Sequence, residues 1–129
     1  MKTLLPSGWQ RPKGYANGIS ARGRTILTAG VVGWNSDGVF ASGIAGQFRQ
    51  LLLNILAILA EDEAGPEHVV RMTWYIVSRD DYVANLGEIG AIYRELMGRN
   101  FPAMAVVQVA GLVEPEALIE IETTAMVPD

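Results

Sequence analysis

The chain has 129 residues, half of them hydrophobic and 19% charged, which predicts one ordered domain over residues 1–129 with its own core. Cysteine is absent and His68 is the only histidine, which excludes disulfides, thiolate or His-pair metal sites and a cysteine nucleophile. The net charge of −4 comes without a basic stripe, so no nucleic-acid partner is expected, and no metal or other cofactor is called for.

Residues 1–6 hold no apolar run of the kind a secretory signal needs, and a soluble cytoplasmic protein is the expectation. Pro6, Gly8, Pro12 and Gly14 mark residues 6–14 as an irregular arm, with Trp9 as its anchor. Strands are expected over residues 15–20 and 25–32, joined as a hairpin at Ala21-Arg22-Gly23. Asn35-Ser36-Asp37-Gly38 then signals a turn.

Ile44, Phe48, Leu51, Leu52, Ile55 and Leu59 recur at steps of three and four, predicting an amphipathic helix that Gly65-Pro66 stops. Its most apolar window, residues 51–60, is too short to cross a bilayer and is interrupted by Asn54, so no membrane partner is expected. Residues 69–78 read as a strand. A second helix follows, capped by Asp80 or Asp81, with Leu86, Ile89, Tyr93 and Leu96 as its buried stripe and Gly98 at its end. Strands over residues 103–110 and 118–127 close the chain.

The order ββαβαββ favours an α+β fold, one mixed sheet with both helices on one face. Nothing left in the chain can cover the other face, which points to an oligomer packed through it. Trp74 and Tyr75 should fall on opposite faces of their strand, one in the core and one on the open face. Ile119-Glu120-Ile121-Glu122 alternates in the same way. With the isoleucines under the helices, both carboxylates lie on the open face, either paired at an interface or poised as a base. His68, beside a helix end, reads first as a capping residue. No serine stands in a Gly-x-Ser-x-Gly elbow, and the glycines at 14, 18, 30 and 33 match no phosphate loop.

Phe101-Pro102-Ala103-Met104-Ala105-Val106-Val107, then Leu112 and Ile119-Glu120-Ile121-Glu122, form a pattern that extends back through Thr28-Ala29-Gly30 and Gly14-Tyr15. It resembles the RidA (YjgF-type) family, formerly labelled endoribonuclease L-PSP, many of whose members are imine or enamine deaminases. The resemblance implies a chorismate-mutase-like fold and a homotrimer with a small-molecule site in each cleft between subunits. In deaminating members an arginine grips the substrate carboxylate and a glutamate on the last strand orients the attacking water.

Carried over by position, the glutamate is Glu120, the substrate-binding tyrosine is Tyr15 and the glycine of the second strand is Gly30. The serine before that glycine is Ala29, the usual cysteine is Val106 and the asparagine of the second helix is Gly90. The arginine is Met104, which has no donor for a carboxylate. Arg11, Arg22, Arg24 and Arg71 are the sequence candidates to replace it. The resemblance therefore supports a deaminase acting on something other than a simple 2-imino acid, or a non-catalytic trimer that binds a small metabolite in the same cleft. The acidic charge speaks against the ribonuclease label.

Overall fold

The periodicities sort the apolar residues into a helical layer and one face of a sheet. The computed structural model describes residues 1–129. Its main sheet contains β3 (Arg24–Leu27), β4 (Val31–Val32), β5 (Val69–Ile76), β6 (Ala103–Gln108) and β7 (Ile119–Val127). The order across it is β3-β7-β5-β6, with β4 pairing further along β7. β7 lies antiparallel to β3, β4 and β5, and β6 is the parallel edge strand beside β5.

The helices α1 (Gly43–Ala60), α2 (Arg79–Ala84) and α3 (Leu86–Met97) share one side of this sheet. The expected stripe of α1 is the centre of the core: Phe48, Leu51, Leu52, Ile55 and Leu59 are fully buried. That packing accounts for the helix's high hydropathy, which by length and composition alone would pass for a short membrane span. Gln47 is buried as well, and both ends of its amide are used: Nε2 donates to the Glu116 carbonyl and Oε1 accepts from the Leu118 amide. Asn54 donates to the Val32 and Trp34 carbonyls, so the polar residues of α1 fasten the loops that lead out of β4 and into β7.

Alternation on β7 is complete. Ile119, Ile121, Thr123 and Ala125 are buried under the helices, while Glu120, Glu122, Thr124 and Met126 face the other way. Trp74 is buried against Phe48, and Tyr75 stands on the open face, as alternation required. No element of the chain covers that face, and Leu27 is 71% exposed on it.

The structure corrects several local expectations. Of residues 15–20 only Ala16 touches the main sheet, through one parallel bridge to Ala103 of β6; Ile19–Ser20 (β2) pairs instead with Lys2–Thr3 (β1) in a separate two-stranded ribbon. Gly23 therefore joins two sheets rather than closing a hairpin. Its φ of 138° and its approach to the Val127 carbonyl leave no room for a Cβ. Trp9 anchors nothing within the chain and is 62% exposed.

The first helix ends before Gly65-Pro66, through a turn in which Glu63 takes the left-handed conformation with φ of 56°. The cap of the second helical segment is Ser78, whose hydroxyl accepts from the Asp81 amide. Asp80 and Asp81 lie in the first turn, where the helix dipole favours acids. Asn85 splits that segment into α2 and α3, its side chain donating back to Asp81. Leu86 consequently leaves the buried stripe, and Ile92 and Met97 join it.

Candidate functional site

The expected strand over residues 25–32 is interrupted where Thr28, Ala29 and Gly30 stand opposite only Glu122 and Thr123 of β7. Leu27 pairs with Thr124 and Val31 with Ile121, so one residue is extra. Such a bulge bends a strand and re-aims side chains, often beside a site. Thr28 pins it: its amide donates to the Thr123 carbonyl, and its Oγ1 accepts from the Thr123 amide at 3.0 Å. Across the bulge, the Glu120 carboxylate folds over Gly30. A Cβ built on Gly30 would stand 2.5 Å from Glu120 Oε2. Only a glycine admits the carboxylate there.

Glu120 and Glu122 share the open face with Tyr75, but their situations differ. The Tyr75 hydroxyl donates to Glu122 Oε1 at 2.7 Å, and this bond to a carboxylate pushes the phenol's pKa up. Glu120 is half-buried and has neither a hydrogen bond nor an ion pair within the chain. An unpartnered carboxylate on a surface that the fold leaves bare is available to water or to a ligand.

On the other side of the sheet a cavity of about 530 Å³ opens between α2, α3, the edge strand β6 and the N-terminal arm. Its volume is that of a small-molecule site. Trp74, Tyr82 and Tyr93 make an aromatic wall, and Tyr93 stacks on Phe101 with ring centroids 5.9 Å apart. Burial pushes the Tyr82 and Tyr93 hydroxyls above their ordinary pKa, and the Tyr93 hydroxyl donates to the Asn100 carbonyl. Tyr15, Gly90, Met104 and Val106, four of the residues singled out from the sequence, line this cavity.

The single chain does not bring the two groups together. Met104 and Val106 pair with Met72 and Trp74 and so share their helix-covered face, whereas Glu120 pairs with Tyr75 on the open face. Tyr15, Gly90, Met104 and Val106 form one half-site, and Ala29, Gly30 and Glu120 form another. Sequence reasoning also missed the charged residues of the cavity, Lys13 and Arg94. The signal for Arg94 was its place four residues after Gly90, on the same helix face.

None of the arginines named as candidates lines the cavity: Arg24 pairs with Asp62, Arg71 lies exposed on β5, Arg22 lines a separate hollow, and Arg11 lines an adjoining hollow that shares Gly14, Tyr15 and Phe101 with the cavity. His68 is a capping residue, its Nδ1 accepting from the Gly65 amide at 3.0 Å. No group of three or more acidic or histidine side chains is placed to hold a metal ion.

Residues 9–127 match the family model described as Endoribonuclease L-PSP. The chain belongs to this family, which is the RidA/YjgF family. A RutC family protein, UK114 of Drosophila melanogaster, is 27% identical over 127 residues, covering 97% of this chain and 88% of that protein. The human 2-iminobutanoate/2-iminopropanoate deaminase is 31% identical over 105 residues, covering 80% of this chain and 73% of its own length. Among solved structures, the conserved Rid-family protein YyfB of Yersinia pestis superposes with a TM-score of 0.81 at 33% identity, and 98% of each chain is covered. The mixed sheet with helices on one face is thus the chorismate-mutase-like fold of this RidA family.

Proposed function

We propose that this chain is a homotrimeric imine or enamine deaminase of a RidA subgroup that lacks the carboxylate-binding arginine. Each site is completed by two copies: one supplies the aromatic cavity with Tyr15, Gly90, Met104 and Val106, and its neighbour supplies Glu120, Gly30 and Ala29. The observation that carries this reading is the carboxylate of Glu120. It has no partner, lies over a glycine that makes room for it, and sits on a face that the chain itself leaves bare.

In the reaction, Glu120 takes a proton from water as the water oxygen bonds to the imine carbon. That proton passes to nitrogen to give a carbinolamine; the hydroxyl proton then moves to nitrogen as the C–N bond breaks, so ammonia leaves and a carbonyl remains. No metal or redox partner enters this balance. The human relative's name, a deaminase of 2-imino acids, agrees with the reaction class. Met104 in place of the clamp argues for a substrate other than a simple 2-imino acid.

The test is ammonia release from a panel of imines generated from amino acids by an amino-acid oxidase. Glu120→Gln should lower the rate by about 10²–10⁴-fold while keeping the trimer. Met104→Trp, which fills the cavity, should also be inactive alone. Co-expressing the two variants should restore activity, because about a quarter of the clefts in randomly mixed trimers pair two intact halves. Binding without ammonia release from any imine would instead make the protein a small-metabolite-binding trimer.

A further inference from the structure

We infer that the carboxylate clamp of this protein has moved from the strand to the helix. Arg94, with Lys13 on the same cavity, holds the anionic group of a ligand whose apolar, flat body lies on the aromatic wall. This deepens the reading above by naming the chemical class of the ligand.

Three observations converge on it. First, Arg94 and Lys13 are the only charged side chains on the cavity, and no acid lines it. Neither takes part in any ion pair or side-chain hydrogen bond of the chain, although three of the four arginine- or histidine-based pairs elsewhere use an arginine. Both are solvent-exposed, and with no acid beside them they make the hollow positive, which favours an anionic ligand.

Second, Gly90 makes room for the guanidinium. A Cβ at Gly90 would stand 3.4 Å from Arg94 Nη1, so the side chain runs back over the bare glycine toward the preceding turn. A methyl there would just touch it, and a longer side chain would crowd it. Third, the remaining lining is mostly apolar and aromatic: Tyr82, Tyr93 and Phe101 line the hollow, with Met104 and Val106 on β6. A guanidinium grips two carboxylate oxygens with parallel hydrogen bonds, and the aromatic surfaces take a planar body. The ligand class is therefore a small carboxylate bearing an aromatic or similarly flat apolar group.

Binding of an unreactive probe tests this without any catalysis. Calorimetric titration with 3-phenylpropanoate should show saturable binding. The neutral 3-phenylpropanamide and the bodiless propanoate should each bind at least about tenfold more weakly. Arg94→Gln should weaken 3-phenylpropanoate binding by about 10–100-fold, Arg94→Lys by less, and Lys13→Gln by several-fold, with thermal stability and oligomeric state unchanged. Gly90→Asn should weaken it too, by displacing the guanidinium.

Equal binding of the acid and the amide would overturn the inference, as would an Arg94→Gln protein that binds the acid normally. Glu120→Gln should remove ammonia release without weakening this binding, which separates the two readings. Carboxylate binding through Arg94 without ammonia release would sink only the deaminase. Ammonia release from arylpyruvate imines that is indifferent to Arg94→Gln would sink only the clamp.

Discussion

Gly30→Ala isolates the placement of the Glu120 carboxylate from everything else in the fold. The backbone of Gly30 is not left-handed, so an alanine meets no conformational strain there. What the new methyl meets is the far end of one side chain: Oε2 at 2.5 Å, Cδ at 2.8 Å and Cγ at 3.2 Å of Glu120. Ordinary contact begins near 3.4 Å, so the carboxylate must retreat by about 0.9 Å. Because that side chain has three rotatable bonds and no partner to break, the retreat costs little stability. A displacement of about 1 Å at a reacting group can nevertheless cost about 10²-fold in rate.

Gly33→Ala is the matched control. Its methyl would meet backbone, the Gln47 carbonyl oxygen at 2.4 Å and Cα at 2.6 Å, so α1 itself must shift. Such overpacking costs about 1–3 kcal/mol, or a melting temperature lower by about 3–6 °C per kcal/mol. The expected pattern is a double dissociation: Gly30→Ala melts near the wild type but loses about 10²-fold of its ammonia release, while Gly33→Ala melts early and keeps most of its rate per folded protein. Calorimetry and a coupled ammonia assay read both. A Gly30→Ala protein with undiminished hydrolysis would refute the assignment of Glu120 to the reacting centre.

Light scattering should give a mass near three chains, with 2-iminopropanoate a poor substrate; a stable monomer at micromolar concentration would refute the composite cleft. Met104→Arg should raise turnover of that small imine by about 10–100-fold and lower stability by about 1–3 kcal/mol, since it adds a carboxylate donor at the cost of an apolar contact. On alkaline titration followed at 295 nm, three of the four tyrosines, Tyr75, Tyr82 and Tyr93, should ionise above the ordinary value of about 10. Raised folded-state values mean that their stabilisation is present below the unfolded pKa and lost as pH climbs through the folded ones. In Glu122→Gln the Tyr75 step should fall back toward the ordinary range, and four coincident steps in the wild type would contradict the geometry.

The large features of the fold were legible because each is written in a period. The stripe of α1 and the alternation on β7 are both visible as spacing, and both place every expected apolar residue inside. What was not legible is set by partners distant in sequence. Thr28-Ala29-Gly30 reads as a continuous strand until β7 offers only two residues opposite its three. Residues 15–20 show the same limit: their apolar content suits a sheet, but Lys2–Thr3 pairs with Ile19 and Ser20, and only Ala16 keeps a bridge to the main sheet. Gln47 looks like a solvent-side residue of a helix until the loop before β7 supplies a donor and an acceptor for its amide. Likewise, spacing puts Arg94 on the helix face of Gly90, but only β6 and the N-terminal arm lying opposite make that face a cavity wall.

The site residues show most clearly where reading by position stops. Met104 and Glu120 were placed together by the family pattern, and the pattern holds no information about faces. Face is decided by register: Met104 takes the parity of Met72 and Glu120 that of Tyr75, and these alternate on β5. Within one chain a change at 104 can therefore reach Glu120 only through the backbone of the sheet, and close-packed backbone passes on little of a side-chain change. In a closed assembly the constraint disappears, since the edge strand and cavity of one copy can lie against the bare face of the next. The uncovered face through which the proposed trimer would pack is the face that carries Glu120. In that trimer, burying the face and completing the site would be one event: its apolar residues would stabilise the assembly, and the carboxylate among them would meet what the neighbouring cavity binds.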